Sequence, residues 1–520
     1  MAILFVGPSS DYPSITTAML FAAPSDTIVL EDGYSNEIAD VLHSGMTIYG
    51  ELNSTGIVLR LASGVTSVTL SGLAAINIAD SSDGNAITGN DGDNQITVTA
   101  GTDSVNGGLG EDRLIVDYAS AIGNVTGDST SSFTEAGGRG RMVTITNGTF
   151  EHFTILTGDG ADTITAGDGN DIITSGGASD RLTGGMGNDT LTAAAGDDTL
   201  LGNQGNDMLF GADGQDWMHG GQGTDQLNGG AGADTLDGGL THDTLYGNQG
   251  NDVLFGSDGD DFLHGGQDND MLYGGAGSDV LAGGLADDTM DGGDGVDIVV
   301  YLTATSGVNV DLGQQSGAQL VSLTEGRDTL ISIENLFGSN FDDRLTGGIA
   351  ANYIIGAVGN DTISAGDGND RLIGDSGNDL LYGNQGDDGL YGGAGSDYMH
   401  GGQGNDYLNG DAGNDTLVGG IGNDTIYGGA DADVFVFQTA AAAGVNRIMD
   451  FVQGVDKIGI SGALAEMFLD ASLDLEDALI WDSNNSELYV DLEALGQQGT
   501  VLIAELNNTY SLGAGDYVFV

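Results

Sequence analysis

The chain lacks cysteine altogether and has only ten basic residues in a length of 520. Without cysteine it can form no disulfide bond, and it offers no thiolate to a soft metal ion. The ten basic residues are set against 78 acidic ones, which gives a formal net charge of -68. This surplus argues against a nucleic-acid partner, because nucleic-acid binding depends on basic side chains that neutralise phosphates.

Long apolar segments are missing as well. The first residues, MAILFVGPSSDYP, have neither the basic segment nor the apolar run of a Sec signal peptide. No other segment approaches the roughly 20 apolar residues that a membrane-spanning helix requires. We therefore expect neither a cleaved Sec signal nor a membrane-spanning segment.

Glycine, in contrast, is abundant, and its 93 residues recur with aspartate in a nine-residue repeat. Residues 157–300 divide into sixteen consecutive repeats, such as GGMGNDTLT at Gly184–Thr192. In each of them the sixth place is Asp and the eighth is apolar. Residues 338–436 contain eleven more repeats, of which ten have Asp in the sixth place and one has Asn352.

A shorter, degenerate block precedes these two. Residues 80–115 hold four repeats in which the sixth places are Asn85, Asn94, Asp103 and Asp112. Because amides replace two of the four carboxylates, we expect one or two bound ions at most in this block.

The repeat predicts a coil of two strands and two turns. Its Gly-rich half can take the positive φ angles of a tight turn, whereas its short half alternates outward, inward and outward as a strand does. Two repeats would form one coil of eighteen residues with two apolar side chains inside. One inward side chain per nine residues cannot offset the conformational entropy of ordering them. Something besides apolar burial must therefore hold the turns.

The sixth-place aspartates indicate what supplies that additional stabilisation. They return to the same edge every eighteen residues, beside backbone carbonyls, and so supply the all-oxygen ligands that a hard cation such as calcium needs. The alternative is that they serve only as turn formers. That alternative explains poorly why 26 of 27 repeats in the two long blocks keep Asp while neighbouring positions vary. The predicted metal ligands are Asp162, Asp171, Asp180, Asp189, Asp198, Asp207, Asp216, Asp225, Asp234, Asp243, Asp252, Asp261, Asp270, Asp279, Asp288 and Asp297 in the first long block, Asp343, Asp361, Asp370, Asp379, Asp388, Asp397, Asp406, Asp415, Asp424 and Asp433 in the second, and Asp103 and Asp112 in the degenerate block.

The repeat resembles the signature G-G-x-G-x-D-x-U-x of the RTX family, in which U is apolar. The resemblance implies an all-β fold, a right-handed parallel β-roll or β-solenoid in which carboxylates and turn carbonyls of neighbouring coils share each calcium ion. For 27 repeats we expect on the order of 25 ions, which would bring a charge of about +50. Without metal, the acidic and Gly-rich blocks would repel themselves and be disordered or molten.

The remaining segments predict a cap and two inserts. Residues 1–79, with a short amphipathic helix at Ser14–Ala23 followed by apolar runs, resemble the opening of right-handed parallel β-helix proteins. There, a helix caps the open end of the coil stack. Residues 116–156 and 301–337 resemble the strand-rich inserts between RTX blocks, and we expect them to be architectural.

The last segment, residues 437–520, resembles the part of RTX exoproteins that closes the roll and carries the secretion signal. The chain ends in GDYVFV, an Asp followed by apolar residues, which is similar to the C-terminal address of type I secretion. The residues that match the D-F-x-x-G-x-D-x-I phrase of the closing segment are Asp450, Phe451, Gly454, Asp456 and Ile458.

Together these features predict a secreted, non-enzymatic structural protein. We expect it to bind calcium, to fold outside the cell, where calcium is millimolar, and to lie in the extracellular space or on the cell surface. There it would form a homo-oligomer or polymer, as a subunit of a surface layer, sheath or filament. Cell-surface polysaccharide is a further candidate partner.

The alternative is a polysaccharide-binding adhesin or a carbohydrate-active enzyme that uses the N-terminal β-helix. The sequence has no H-E-x-x-H and no G-x-S-x-G motif, and GDSGND at Gly374–Asp379 lies within the nonapeptide frame. Residues 1–79 provide too few coils for a carbohydrate groove. We expect the acidic residues of that segment to be solvated turn residues rather than a catalytic pair: Asp26, Glu31, Asp32, Glu37 and Asp40.

Three aromatic and histidine pairs flank inward apolar residues and should therefore point outward. They can be interpreted as a repeated contact surface for glycan, metal or another copy of the chain. The alternative is ordinary cross-strand packing on an exposed sheet, inherited by duplication. The pairs are Trp217 with His219, Phe262 with His264, and Tyr398 with His400.

Overall fold

The computed structural model describes residues 2–50, 54–136, 141–145, 150–438, 444–462, 464–466, 479–491, 500–507, 512 and 514–520. The chain divides into two compact units, Met1–Leu263 and His264–Val520. Short parallel strands dominate each unit, so the predicted all-β class and the β-solenoid fold are confirmed. Among the described residues, no helix has the length and apolar character needed to cross a membrane.

The first unit contains one short helix and a long series of strands. Its elements are β1 (Ile3–Val6), α1 (Ile15–Met19), β2 (Thr27–Leu30), β3 (Ile38–Val41), β4 (Met46–Gly50), β5 (Ile57–Leu61), β6 (Ser67–Gly72), β7 (Ile76–Ala79), β8 (Ala86–Thr88), β9 (Gln95–Val98), β10 (Thr102–Asn106), β11 (Arg113–Asp117), β12 (Val125–Asp128), β13 (Ser132–Glu135), β14 (Met142–Ile145), β15 (His152–Leu156), β16 (Thr163–Asp168), β17 (Ile172–Thr174), β18 (Arg181–Met186), β19 (Thr190–Thr192), β20 (Thr199–Gln204), β21 (Met208–Asp213), β22 (Trp217–Gln222), β23 (Gln226–Ala231), β24 (Thr235–Leu240), β25 (Thr244–Gln249) and β26 (Val253–Asp258).

The second unit continues in the same way, after β27 (Phe262–Gln267), which contains the boundary residues. Two short 3-10 helices lie at Leu312–Gln314 and Ala514–Asp516. The strands are β28 (Met271–Gly277), β29 (Val280–Leu285), β30 (Thr289–Gly295), β31 (Ile298–Val300), β32 (Asn309–Asp311), β33 (Gln319–Ser322), β34 (Gly326–Ile331), β35 (Asn335–Phe337), β36 (Arg344–Thr346), β37 (Tyr353–Val358), β38 (Thr362–Asp367), β39 (Arg371–Ser376), β40 (Leu380–Gln385), β41 (Gly389–Ala394), β42 (Tyr398–Gln403), β43 (Tyr407–Ala412), β44 (Thr416–Ile421), β45 (Thr425–Tyr427), β46 (Val434–Phe437), β47 (Asn446–Ile448), β48 (Lys457–Ile460), β49 (Leu479–Asp482), β50 (Glu487–Asp491), β51 (Thr500–Leu506) and β52 (Tyr517–Phe519).

Strand pairing within each unit follows an eighteen-residue period. In the first unit, Leu182 pairs with Leu200 and Leu200 with Met218, all in parallel register. Alternate strands therefore form the two sheets of a coil, with β16, β18, β20, β22, β24 and β26 in one and β17, β19, β21, β23 and β25 in the other. In the second unit, Leu372 pairs with Leu390 in the same register. Two nonapeptides thus make one coil, as the repeat predicts.

The core of each coil is formed by the eighth residue of each repeat. Leu200 and Met218 in the first unit and Leu390 and Met399 in the second are all fully buried. The residues on either side of them in the strand point outward and are partly exposed. Each nonapeptide therefore buries one large apolar side chain, as expected for so thin a coil.

The predicted N-terminal helix is present but shorter than expected. It spans Ile15–Met19 and does not reach Ala23, because Leu20 and Phe21 are 71% and 66% exposed and offer no apolar face to extend it. The hydroxyl of Ser14 caps its first turn by accepting from the Thr17 N–H. The Glu37 carboxylate accepts hydrogen bonds from the two preceding N–H groups of this turn, those of Ile15 and Thr16.

The two inserts contain antiparallel strands. In residues 116–156, β13 pairs in antiparallel fashion with β12 and β14. In residues 301–337, β33 and β34 form an antiparallel pair, and β34 then pairs in parallel with β30. The second insert thus returns the chain to the parallel coil. The predicted closing and secretion segment, residues 437–520, lies partly outside the described residues, although β52 pairs in parallel with β48.

Candidate calcium-binding turns

The repeat turns bring successive coils into close backbone contact. In the turn before Asp207, Asn203 and Gly205 have φ angles of +80° and +119°. A Cβ atom at Gly205 would collide with the carbonyl oxygen of Gly187 in the preceding coil. Glycine is thus required in the fourth place of this turn both for its φ angle and for the stacking of the coils.

The sixth-place aspartates form a continuous ladder along each edge. The N–H of Asp189 donates to Oδ1 of Asp207 at 2.7 Å, and the N–H of Asp207 donates to Oδ1 of Asp225 at 2.7 Å. The same bond recurs in the second unit, where the N–H of Asp379 donates to Oδ1 of Asp397 at 2.8 Å. One oxygen of each carboxylate therefore ties its coil to the preceding one. We call this series the carboxylate ladder.

In most of these carboxylates, the other oxygen, Oδ2, is buried and has no hydrogen-bond donor. All 28 predicted aspartates are buried, with exposures of 4% or less. A buried carboxylate oxygen without a donor is costly, so these atoms mark places where a cation could bind. Within the described part of the chain, Oδ2 has no hydrogen-bond partner in Asp103, Asp112, Asp171, Asp189, Asp198, Asp207, Asp216, Asp225, Asp234, Asp243, Asp288, Asp297, Asp361, Asp370, Asp379, Asp388, Asp397, Asp406, Asp415 and Asp424.

These oxygens face backbone carbonyls across a space that only glycine leaves open. A Cβ atom at Gly202 would collide with Oδ2 of Asp207 and would lie 2.7 Å from the carbonyl oxygen of Gly220 in the next coil. In the second unit, Gly374 is placed in the same way against Asp379 and Gly392. A carboxylate oxygen and a carbonyl oxygen therefore converge beside the first glycine of the turn. This donor set fits calcium, which takes oxygen ligands of both kinds.

Burial raises the pKa of many ladder carboxylates, Asp189 and Asp207 among them. It raises the pKa of Asp207 to about 6 and that of Asp189 to about 8. At Asp189, the N–H of Asp171 acts in the opposite direction, while the charges of Asp171 and Asp207 add to the rise. The ionised form is thus disfavoured as long as no positive charge is near. A divalent cation at the turn would reverse this preference.

The side chains alone do not make a metal centre. No group of three or more His, Asp or Glu side chains in the described residues is arranged to hold an ion. An ion bound at the turns must therefore take part of its ligands from the backbone, as the convergence of Asp207 Oδ2 and the Gly220 carbonyl suggests. The 28 aspartates therefore remain predicted calcium ligands. The position of Oδ2 beside a glycine carbonyl, as at Asp207, agrees with that role.

Asparagine in the sixth place changes the turn chemistry. The Nδ2 of Asn94 donates to the carbonyl oxygen of Ile76 at 3.2 Å, and the Nδ2 of Asn352 donates to the carbonyl of Glu334. In both cases the side-chain amide is hydrogen-bonded to the backbone carbonyl of the residue eighteen positions earlier. An uncharged donor thus stands where the other repeats present a carboxylate oxygen, which explains why a weaker site, or none, is expected there.

The ladder extends beyond the repeats, through residues that the nonapeptide pattern did not reveal. The N–H of Asp288 donates to Oδ1 of Asp328 at 3.2 Å, and the N–H of Asp297 donates to Oε2 of Glu334 at 2.9 Å. Both acceptors belong to the second insert. At the other block ends, the acceptors are Glu151, which receives the N–H of Asp112, and Asp456, which receives that of Asp433.

A weaker sequence signal marks these four residues. Each is followed two positions later by an apolar side chain that enters the core, as in the repeats. The relevant pairs are Glu151 with Phe153, Asp328 with Leu330, Glu334 with Leu336, and Asp456 with Ile458, and the apolar partners are at most 1% exposed. The carboxylate-x-apolar half of the repeat is thus kept where its glycine half is lost.

The aromatic and histidine pairs pack against one another or their neighbours on the sheets. The Trp217 and His219 rings stack with centroids 6.1 Å apart, and Nδ1 of His219 lies 3.1 Å from Oδ2 of Asp237. Phe262 lies 5.8 Å from Tyr246, and Tyr398 lies 5.8 Å from Tyr382. Trp217 and His219 thus stack within one strand, whereas the contacts to Asp237, Tyr246 and Tyr382 are cross-strand contacts of the kind that the simpler interpretation predicts. Binding by the pairs stays untested.

The acidic residues of the N-terminal segment have structural partners. Asp26 is buried and accepts from the N–H groups of Ala2 and Ala23, so the expectation that it is solvated is wrong. Glu31 accepts from the Ser9 N–H, and Asp40 lies 3.1 Å from Nε of Arg60. Asp32 is an exposed turn residue, as expected, whereas Asp40 is exposed but lies in strand β3.

Replacing Asn352 by Asp is expected to add one calcium ion to the chain. The substitution removes the amide donor from the Glu334 carbonyl and supplies the missing Oδ2, while the ladder bond from the Asn352 N–H to Asp370 can remain. At a hundredfold excess of calcium over its Kd, the new site would add about 2.7 kcal/mol of stability. Calcium per chain by elemental analysis and the Tm in calcium measure the effect.

The matched control is Asn360→Asp, which makes the same charge change at an exposed turn position. It should leave the calcium content unchanged. Equal calcium contents of the two variants would show that a carboxylate in the sixth place is not sufficient for a site.

Comparison with known proteins gives one result. A family model described as RTX calcium-binding nonapeptide repeat (4 copies) matches the chain, and its matches together cover more than half of the sequence. No curated protein matches the chain. The matched residues are 81–115, 156–191, 175–209, 183–218, 192–227, 210–245, 237–272, 264–299, 332–363, 364–399 and 400–435.

Proposed function

Because the chain belongs to the family of proteins built from RTX calcium-binding nonapeptide repeats, we propose that it is a secreted structural protein that folds on calcium outside the cell and self-associates there. The family membership that the sequence predicts is thereby confirmed. To the calcium-binding β-solenoid we add four statements of our own: on the order of 25 ions are bound, the chain is exported, its copies self-associate, and it has no catalytic activity.

The buried ladder oxygens carry this proposal. Oδ2 of each ladder carboxylate and the carbonyl of the first glycine of the neighbouring coil, such as Asp207 and Gly220, would hold the ion. When bound, calcium supplies the positive charge that the buried carboxylates lack. The N–H groups of the preceding coil fix Oδ1 and leave Oδ2 directed at the site. About 25 ions would offset about 50 of the 68 net negative charges.

Calcium loading would also couple folding to export. In cytosol poor in calcium, the ladder carboxylates have no countercharge, and the repeats stay open for transport. Outside the cell, each site that is filled at a hundredfold excess over its Kd adds about 2.7 kcal/mol. Folding would then occur only after release, and the extracellular space or the cell surface would be where the protein acts.

Self-association is supported by the distribution of charge in the second unit. Between Arg344 and Val436, no carboxylate stands directly before or after the buried apolar residue of a repeat strand, and the exposed acidic residues of these strands, such as Asp367 and Asp375, lie toward the turns. Because the middle of such sheet faces carries no negative charge, faces from two copies of the chain could pack together without charge repulsion, although the chain as a whole is acidic. A surface layer, sheath or filament requires such repeated contacts.

A second candidate, polysaccharide binding, is favoured by a row of tyrosines on one sheet of the second unit. The ring of Tyr407 lies 5.6 Å from that of Tyr391 and 5.6 Å from that of Tyr427. The guanidinium of Arg371 lies 4.6 Å above Tyr391 and 5.7 Å from Tyr353. Aromatic faces with polar edges suit contact with sugar rings. This site differs from the N-terminal one suggested by the sequence.

Imaging and sedimentation of the purified full chain in millimolar calcium would separate the two functions. The structural proposal predicts ordered arrays or fibres that dissolve when a chelator is added. A stable monomer that binds a neutral polysaccharide, and loses this binding in Tyr391→Ala with Tyr407→Ala, would favour the second candidate. Tyr382→Ala, on another sheet of the same unit, is the control. A monomer that cleaves polysaccharide would contradict our proposal that the chain has no catalytic activity.

A further inference from the structure

A groove of the same construction lies on the outer face of one sheet in each unit. In the first unit it runs across β20, β22, β24 and β26, and in the second across β40, β42, β44 and β46, with volumes of about 570 and 520 Å³. Both grooves belong to near-identical sequence segments, which begin GNQGND at Gly202 and GNQGDD at Gly383. The repeat has therefore built one groove twice. The equivalent lining residues are Asn203 and Asn384, Gln204 and Gln385, His219 and His400, and Gln222 and Gln403.

Glycine opens the groove between these side chains. On β42, Gly402 has a φ angle of +116°, and a Cβ atom there would lie 2.2 Å from the carbonyl oxygen of Asn384 on β40. On β44, Gly420 stands in the same way against Gly402. Gly221 and Gly239 have these places in the first unit. Because no side chain can stand there, bare backbone forms the bottom of the groove.

The two grooves differ in charge. In the first, Oδ2 of Asp237 lies 3.1 Å from Nδ1 of His219, and Oδ1 accepts from the Ser257 hydroxyl at 3.0 Å. In the second, the equivalent residue is Val418, which is 2% exposed. Burial lowers the pKa of His400 in the second groove, so its imidazole is neutral at pH 7. Among the described residues, no charged side chain lines the second groove.

Apolar side chains close the second groove on one side. Val436 and Phe437 belong to β46 and Ile503 to β51, and all three are buried. Together with Val418 and the half-exposed Ile421 on β44, they form an apolar wall across the sheet from the amides of β40 and β42. A ligand in this groove would meet hydrogen-bonding groups on one side and hydrocarbon on the other.

We propose that the second-unit groove binds a neutral sugar that carries an acetamido group, as an N-acetylhexosamine does. The exposed amides of Gln385 and Gln403 can exchange hydrogen bonds with sugar hydroxyls and with the acetamido N–H and C=O. The apolar wall suits the acetamido methyl group and the C–H face of the ring. An ionic ligand would find no countercharge there. The volume lies within the roughly 300 to 1,000 Å³ that is usual for small-ligand pockets.

This site is separate from the row of tyrosines on the other sheet. The groove lies on β40, β42, β44 and β46, whereas the tyrosine row lies on β41, β43 and β45. The inference also does not depend on self-association. Calcium content and assembly are measured independently of sugar binding, so failure of the groove would leave the proposed structural function in place.

Equilibrium dialysis of the full chain in millimolar calcium against two labelled trisaccharides tests the site. One is a trimer of N-acetylglucosamine, and the other is the trimer of glucose with the same linkage, in which hydroxyls replace the acetamido groups. The acetylated trimer should bind about tenfold more tightly, because only its acetamido groups fill the apolar side and pair with the amides. Equal affinities, or no binding of the acetylated trimer, would overturn the inference.

Two variants locate the bound sugar. Val418→Asp gives the second groove the residue that the first one has at this place, and it should weaken binding of the acetylated trimer about tenfold while the circular dichroism in calcium stays unchanged. Gln403→Ala changes an exposed side chain outside the core and should weaken binding by about the same factor, so the test holds even if Val418→Asp misfolds.

The matched control is Tyr391→Ala with Tyr407→Ala, which leaves the groove intact and should bind the acetylated trimer as the wild type does. Unchanged binding in either folded groove variant, or a loss of binding in the tyrosine variant alone, would place the sugar elsewhere and overturn the inference.

Discussion

Withdrawing calcium with a chelator is expected to unfold both long repeat blocks, with loss of most of the β-strand circular dichroism and a large increase in hydrodynamic radius. The physical reason is that each nonapeptide buries one apolar side chain, such as Leu200 or Met218, together with one carboxylate. Without a cation, the buried Oδ2 atoms are unsatisfied and the net charge of -68 favours expansion. Little remains to offset the entropy of so many glycines.

Adding calcium back should restore the strand signal in a cooperative transition, because each ion lies between neighbouring coils and helps to order the next site. Magnesium is the control. It prefers strict octahedral geometry and keeps its water ligands, so the carbonyl-rich turns should bind it poorly and the strands should not return. Full recovery in magnesium would mean that charge neutralisation alone, and not a calcium-specific ligand set, folds the chain.

The double substitution Asp207→Asn with Asp225→Asn is expected to have the second largest effect. The two residues are consecutive in the ladder, joined by the bond from the Asp207 N–H to Oδ1 of Asp225. As asparagines they would offer amide donors to turn carbonyls, as Asn94 does. We expect a loss of about two ions and of about 5 kcal/mol of stability at a hundredfold excess of calcium over Kd. Isothermal titration calorimetry and thermal unfolding in calcium measure both.

The control for this variant is Asp197→Asn with Asp213→Asn. Both residues are exposed and belong to the same block, Asp197 in a turn and Asp213 at the end of β21, and the change in net charge is identical. This control should keep the calcium content of the wild type and a similar Tm. If both double variants lost ions and stability equally, total acidity would matter and ladder position would not.

Much of the fold could be predicted because the repeat is strict. The eighth-place residues Leu182, Leu200 and Met218 pair in register and are fully buried, as the nonapeptide implies. The burial of every sixth-place aspartate follows from the same periodicity. Sequence could not show that Oδ1 and Oδ2 of these residues have different roles. That division depends on how successive turns stack, which is a property of the assembled coils.

The part of the carboxylate ladder that lies in the inserts was harder to predict. There the ladder hydrogen bonds are kept, but the glycine pattern of the repeat is lost. Asp328 takes the ladder position after Asp288, although 40 residues separate them instead of eighteen. Only the short phrase Asp328-Thr-Leu330 hints at this role, and such phrases are common in any sequence. Glu325, which is buried in the turn between β33 and β34, has no signal in the sequence at all.

The local sequence pattern was also insufficient to predict the length of the N-terminal helix. The sequence Ser14–Ala23 contains enough apolar residues for nearly three turns, but only Ile15, Ala18 and Met19 are buried. The helix ends where no surface remains to cover Leu20 and Phe21. Its start was easier to predict, because a Ser that follows Pro13 is a common N-cap.

Hydrogen exchange of the repeat strands, compared in calcium and in chelator, tests most directly whether ions rather than apolar burial hold this chain together. In calcium, we expect strong protection of backbone amides in strands such as β20 and β40, whose neighbours bond to them on both sides. In chelator, the same amides should exchange at the rates of an unfolded chain. Protection that persists unchanged after calcium has been removed would contradict the account.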